Sequence, residues 1–286
     1  MRLLVFGETG QLARELARRC HRGVEARFLG RADADLLEPS SCAAAVLDIK
    51  ADVVINAATW TAVDLAKAEE AVATIANGAA PGAMAEACAA KGIPFLQVST
   101  DYVFDGAADA PFAPDDQTVP LNAYGRSKRA GEKAVRNSGA RHVILRTSWV
   151  FSPFGNNFLK SMLRLCSARK SLNVVSDQVG GPTPAAALSD ALYATATAMA
   201  DGHAGGTYHF SGAPDVSWAE FARAIMAAAG LSCRIEDIIT ADYPAAARRP
   251  LNSRLDCSTF TQEFGTRRPD WREALEGILK ELRTTA

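Results

Sequence analysis

The chain of 286 residues is 48% hydrophobic and 22% charged, enough apolar content to bury a large core in one big domain or two modest ones, which excludes general disorder. Thirty-one basic residues against thirty-two acidic ones leave no positive excess, and without a long basic run the composition argues against nucleic acid as a partner. The N-terminal apolar run covers only Leu3 to Phe6 and nowhere do about 18 apolar residues follow one another, so no signal peptide, membrane span or membrane partner is expected and the expected location is the cytoplasm.

In chain order, short β-rich runs alternate with helical patterns. "RLLVF" (2–6) precedes "GQLARELARRC", "ARFLG" (26–30) precedes "PSSCAAAVLDI", and "DVVINAA" (52–58) precedes "DLAKAEEAVATI" and "PGAMAEACAAK". "PFLQVST" (94–100) leads through a Pro/Asp-rich loop to a helix starting near Leu121, and "RHVILRTS" (141–148) is followed by "NNFLKSMLRLC". Strands apolar on both faces alternating with helices predict a parallel sheet covered on both sides, a doubly wound, Rossmann-like α/β fold. After about residue 150 the rhythm loosens, with "LNVVSD", "GGTYHF" and "CRIEDII" as isolated candidate strands. We therefore expect a dinucleotide-binding domain over 1–150 and a smaller substrate-binding part over 151–286, interleaved with the first. The six cysteines form no Cys-x-x-Cys pair and read as reduced, mostly buried thiols, and the four histidines show no ligand spacing, so no metal site is expected.

Chemistry first appears directly after the first strand. Gly7, Gly10 and Ala13 form a G-x-x-G-x-x-A turn, which permits a tight bend, close approach of a pyrophosphate and close packing of helix on strand. At the end of the second strand, Arg31 comes before Asp33 and Asp35. An arginine there suits a 2'-phosphate and an acid suits a 2'-hydroxyl, so NADPH is accepted and NADH is not excluded. Tyr124 and Lys128 lie four apart on one helix face, where an ammonium would lower the phenol's pKa towards the working pH. The fourth strand ends in Ser99, Thr100 and Asp101, at the sheet edge where ligands bind in such folds, so a hydroxyl, an acid and an electrostatic tuner can surround one carbonyl. The bland alternative is a surface helix whose Lys128 pairs with Glu132.

"GETGQLA", "VINAATWTAVD", "STDYVFDG", "YGRSK", "LRTSWVF", "DQVGGPTPAA" and "RRPLNSRLD" occur in this order. Over residues 1 to about 275 the chain resembles the extended short-chain dehydrogenase/reductases, in particular the dTDP-4-dehydrorhamnose reductase family. The resemblance implies reduction of the 4-keto group of a nucleotide-linked 6-deoxyhexulose, with Thr100, Asp101, Tyr124 and Lys128 at the reaction centre. Tyr124 would give its proton to the carbonyl, Thr100 a second hydrogen bond, and Lys128 would hold the nicotinamide ribose. Cofactor contacts are implied at Gly7, Gly10, Gln11, Leu12, Arg31, Asp35, Leu36, Ala57, Ala58, Thr59, Tyr124 and Lys128. Substrate contacts are implied at Thr61, Val63, Thr100, Asp101 and Trp149, with Arg248 and Arg249 as cations suited to the diphosphate. The sequence departs from the family pattern at Trp60, where tyrosine is usual, and over 74–81, which bears on the shape of the cleft. A reductase making another C4 epimer shares these motifs, and a binding subunit like that of methionine adenosyltransferase is the non-catalytic alternative. A 4,6-dehydratase would usually carry an acid pair where this chain has Asp101 and Tyr102. A homodimer is left open.

Overall fold

The computed structural model describes residues 1–284. Its first half runs β1 (Arg2–Phe6), α1 (Gln11–Arg18), β2 (Glu25–Leu29), α2 (Pro39–Asp48), β3 (Val53–Asn56), α3 (Glu70–Thr74), α4 (Ala80–Lys91), β4 (Phe95–Thr100), α5 (Ala123–Asn137) and β5 (His142–Thr147). Then follow β6 (Val150–Phe151), α6 (Phe158–Cys166), β7 (Ser171–Val175), β8 (Val179–Gly180), β9 (Thr183–Pro184), α7 (Ala185–Ala200), β10 (Gly206–His209), β11 (Val216–Ser217), α8 (Trp218–Ala229), β12 (Arg234–Ile238), β13 (Asn252–Ser253), α9 (Ser258–Phe264) and α10 (Trp271–Thr284).

The main sheet has six parallel strands in the order β10-β5-β4-β3-β1-β2. Side-chain alternation builds a layer on each face. Leu3, Val5, Val53, Ile55, Val143 and Leu145 meet α1, α7 and α9 through Leu16, Leu192 and Phe260. Leu4, Phe6, Val54, Phe95 and Ile144 meet α2, α4 and α5 through Val46, Met84 and Val135. This is the doubly wound architecture that the alternating strands and helices predict. The chain passes from β1 to β2 on one side and returns to β3 on the other, so strand order reverses at β1/β3, and a crevice opens there at the carboxyl edge.

Two expectations shift. "ARFLG" does not form a strand apolar on both faces: β2 is the sheet's edge, and only Leu29 of it is buried. "GGTYHF" contributes β10, which joins the main sheet beside β5. The second half of the chain thus returns β10, α7 and α9 to the first layer, while α6, α8 and α10 enclose their own core around Phe151, Phe221 and Trp271. All six cysteines are free thiols, Cys20 exposed and the others buried. No helix among the described residues is long and apolar enough to cross a membrane.

A buried polar network ties α5 to the sheet. Arg146 on β5 donates to both carboxylate oxygens of Glu132 on α5, at 2.8 Å each, and Ser99 on β4 adds a third bond at 2.7 Å. Burial alone would raise the Glu132 pKa, but Arg146 overrides it and holds the carboxyl below the usual range. Arg146 also reaches His209 Nε2 at 3.2 Å. Because a guanidinium can only donate, Nε2 must accept and Nδ1–H donates to the Phe112 carbonyl at 3.0 Å.

Burial, with the Arg146 charge second, pushes the His209 pKa down to about 3. An unfolded histidine protonates near ~6.5, so the unfolded chain takes up a proton that the fold refuses. Stability is therefore undiminished by this residue above about 6.5 and is lost as pH falls from there towards 3. In denaturant titrations between neutrality and mild acid, His209→Gln should lose less stability per pH unit than the parent, by up to about 1.4 kcal/mol. Parallel profiles would show that His209 is already charged in the fold.

Candidate active site

The crevice is built from the carboxyl ends of β1, β3 and β4 and from α5. Gly7 turns with φ +117, and a Cβ there would press on Ala13, Ala57 and Ala58, so glycine is what allows the β1–α1 turn to nest on the β3 terminus. Gly10 caps α1 with no side-chain hydrogen bond, and nothing lies within 4 Å of where its Cβ would be. No side chain caps the start of α1 and the space beside Gly10 is open, which leaves room for a pyrophosphate. Gln11 is turned from that space: its Oε1 accepts from Ser152 at 3.1 Å and Asn157 at 2.8 Å. Leu12 has its side chain in the core, so only its backbone can face a ligand. Leu36 packs on the opposite core layer.

Arg31 extends from the β2 terminus with its side chain 77% exposed, and its Nε donates to Asp35 at 3.0 Å. Two residues read as cofactor contacts therefore bind each other first.

Tyr124, Lys128 and Glu132 occupy successive turns of one α5 stripe. The helix begins at Asn122, whose Oδ1 accepts the Gly125 N–H at 2.9 Å. It can lie close to the sheet only because Gly125 and Gly131 lack side chains: a Cβ would run into the Tyr102 carbonyl at the first and the Asn77 carbonyl at the second. Gly131 is thus required at this position, beyond being tolerated in a helix. Asn77 sits in a single π-helical turn, Ile75–Ala79, which joins α3 to α4 between the two helical patterns of the sequence. Its side chain accepts from Trp60 N–H at 2.8 Å and from Thr59 at 2.7 Å, and donates to Ser127 at 2.9 Å.

Lys128 is buried, with Nζ donating to the Val98 carbonyl at 2.8 Å and to Thr59 at 3.2 Å. It does not pair with Glu132, whose oxygens are taken by Arg146, Arg136 and Ser99. Burial lowers its pKa to about 8, with Glu132 acting in the opposite sense. The phenol corrects the sequence reading. Tyr124 is raised well above an ordinary tyrosine, first by burial and then by the Asp101 charge, while hydrogen bonding with Thr100 opposes this. The Lys128 charge is not among the causes, because the ammonium is drawn towards β3 and β4. The structure keeps the phenol protonated.

Thr100 donates its one hydroxyl proton to Asp101 Oδ1 at 2.9 Å and accepts Tyr102 N–H at 3.2 Å. It can donate to a substrate only by releasing Asp101. Asp101 is buried and pushed up to about 6, with Oδ2 lacking a hydrogen bond; Ser253 and Thr100 oppose the shift. Ser99 faces away, towards Glu132.

The C-terminal loop closes over this end. Asp64 accepts from Ala247 N–H at 3.0 Å and from Arg249 at 2.7 Å, and Asn122 Nδ2 donates to the Arg248 carbonyl at 2.7 Å. Arg249 is therefore held in place, and it also acts on the Tyr102 hydroxyl. The Arg248 side chain is exposed. Thr61 is exposed and Val63 half-buried on the loop before Asp64. Trp149 adopts φ +50 and stacks on Trp218 with ring centroids 3.6 Å apart. No local motif gives Asn77 its organising role or marks Trp218, and although Asp64 and Arg249 each lie in a quoted motif, only the folded contacts reveal that they pair.

The profile of the RmlD substrate binding domain family matches residues 1–284. The chain belongs to the dTDP-4-dehydrorhamnose reductase family. It is 42% identical over 289 residues to the dTDP-4-dehydrorhamnose reductase of Sinorhizobium fredii, covering 99% of this chain and 98% of that one. Among solved structures, a dTDP-4-dehydrorhamnose reductase from Clostridium acetobutylicum superposes with TM-score 0.93 at 32% identity, covering 99% of this chain and 100% of that one. The Bacillus anthracis enzyme, solved in complex with NADP, superposes with TM-score 0.92 at 31% identity over 98% and 99%.

Gly131 gives a test of how α5 is seated. At an open helix position, Gly→Ala stabilises by up to about 1 kcal/mol, which is what Gly277→Ala in α10 should do, since nothing lies near its Cβ. Gly131→Ala should instead cost about 1–3 kcal/mol through overpacking and weaken dinucleotide binding by displacing the Asn77–Thr59–Lys128 bonds. Urea unfolding and cofactor titration read both; a stabilised Gly131→Ala would contradict the seating.

Proposed function

We propose that this protein reduces the 4-keto group of dTDP-6-deoxy-L-lyxo-4-hexulose to give dTDP-L-rhamnose, using NADPH. The observation that carries this reading is the placement of Tyr124 and Lys128 on one face of α5 at the carboxyl edge of the sheet, with Lys128 fixed to Thr59 and β4, in a chain akin to these reductases along its whole length. Reduction of a ketone requires a proton for the oxygen, and a group that stays protonated at neutral pH is always loaded for that transfer.

The bound cofactor supplies the hydride. Gly7, Gly10 and the uncapped amides at the start of α1 would hold its pyrophosphate. Lys128, fixed beside Thr59 and the β4 terminus, would bind the nicotinamide ribose hydroxyls. As negative charge grows on the substrate oxygen, Tyr124 donates its proton to it, and Thr100 turns its hydroxyl from Asp101 to the same oxygen. Asp101, with its free Oδ2, then accepts from a sugar hydroxyl. Trp149 supplies an apolar face for the hexose ring, and Thr61 and Val63 border the cleft. Of the two arginines, the exposed Arg248 is free to meet a diphosphate, while Arg249 first holds the loop through Asp64. In this reading residues 1–150 carry the dinucleotide and 151–286 mainly the sugar nucleotide, with 285 and 286 outside the described residues. The separate core of α6, α8 and α10 supports that division, and β10, α7 and α9 supply the interleaving.

Tyr124→Phe should lower turnover by roughly 100-fold or more, the scale of losing a general acid, while cofactor affinity measured without sugar stays unchanged. Lys128→Met should lose both, because it sits at the cofactor side of the crevice. A Tyr124→Phe enzyme with the parent's rate would remove the phenol from the chemistry.

A further inference from the structure

The β1–α1 and β2–α2 turns meet at the outer end of the crevice, and the charges there are unusual for a site that takes a phosphate. Residues 7–10 and 30–38 contain one cation, Arg31, against Glu8, Asp33, Asp35 and Glu38. Arg31 is bound to Asp35. Asp33 Oδ2 accepts the Gly30 N–H at 2.9 Å, which closes the β2–α2 turn. That leaves Glu8. Its side chain reaches from the β1–α1 turn across to the β2 terminus, so that a Cβ on Gly30 would collide with Oε2 and stand 3.3 Å from Cδ. The two turns are held in this relation by Gly7 N–H donating to the Leu29 carbonyl at 2.9 Å. Among the described residues no hydrogen bond engages the Glu8 carboxylate, and the residue is exposed.

In dinucleotide folds the position just after the second strand selects the cofactor: an acid there binds the adenosine ribose 2'-hydroxyl, and an arginine there takes a 2'-phosphate. Here that position is a glycine, and the space that its missing side chain leaves is filled by a carboxylate from the first turn. We propose that Glu8 is the cofactor-discriminating residue of this protein: its carboxylate stands in for the acid that the β2 terminus lacks, accepting the 2'-hydroxyl of NADH and opposing the 2'-phosphate of NADPH. Glu8 and Arg31 then pull in opposite directions, and the protein uses both cofactors, with Glu8 limiting the preference for NADPH.

The proposal rests on the nicotinamide-dependent reading above, so its test is a binding measurement made without sugar, which remains readable whatever the turnover. Dissociation constants for NADPH and NADH are measured on the parent, Glu8→Gln and Glu8→Lys, with adenosine 2',5'-bisphosphate and 5'-AMP as competing fragments. Removing the like charge should improve NADPH over NADH by roughly tenfold in Glu8→Gln, and by more in Glu8→Lys, with the bisphosphate gaining and 5'-AMP not. Thermal melting of the cofactor-free variants should match the parent, since Glu8 holds no structural bond. A change that is equal for both cofactors, or a shift towards NADH, would overturn the role of Glu8 and leave the reductase reading standing. Failure of the parent to bind either cofactor would sink both.

Discussion

The crevice depends on how α5 is rooted in the sheet, and the root is the ion pair between Glu132 and Arg146. Both side chains are almost completely buried, and such a pair costs so much to desolvate that well-packed apolar side chains of similar size could be as stable. What the pair supplies is position. It fixes Glu132 against β4 and β5, which sets Lys128 one turn earlier beside the end of β3 and Tyr124 one turn earlier again beside Thr100 and Asp101. Glycine at 125 and 131 lets the helix come that close, and the Asn77 turn locks the opposite side. Catalytic groups that must act within a fraction of an ångström are thereby carried on a helix that cannot slide.

This placement separates two roles that a Tyr-x-x-x-Lys spacing suggests are one. Lys128, buried among carbonyl and hydroxyl oxygens, works on the cofactor side, and burial brings its pKa to about 8. Tyr124 is governed by its own burial and by Asp101, both of which keep it protonated. The phenol carries its proton at neutral pH, which the reducing direction needs; the reverse reaction would need the phenolate and so a higher pH. Asp101, at about 6, changes charge just below neutrality, so the support it gives to the protonated phenol weakens in mild acid.

Much of this was legible in the sequence. The glycine turn, the alternation of strands with helices and the four-residue spacing of Tyr124 and Lys128 are local patterns, and local patterns survive folding. The rest depends on neighbours distant in the chain. Nothing in "YGRSKRAGE" says that Gly131 faces a carbonyl 54 positions earlier, at Asn77, or that Lys128 turns from Glu132 because Arg146 has claimed it. "GGTYHF" reads as an isolated strand until β5 offers it an edge. The hold of Asp35 on Arg31 and the mutual hold of Asp64 and Arg249, which joins segments 185 positions apart, are seen only in the fold.

Together these groups suit the protein to reduce a nucleotide-linked 4-keto sugar. The direct measurement is turnover of dTDP-6-deoxy-L-lyxo-4-hexulose with NADPH, following loss of the reduced nicotinamide and identifying the sugar formed. Stoichiometric oxidation of NADPH, with dTDP-L-rhamnose as the product, is the expected result. Cofactor binding without oxidation in the presence of this substrate would contradict it, and would favour a binding protein that keeps the fold without the reaction.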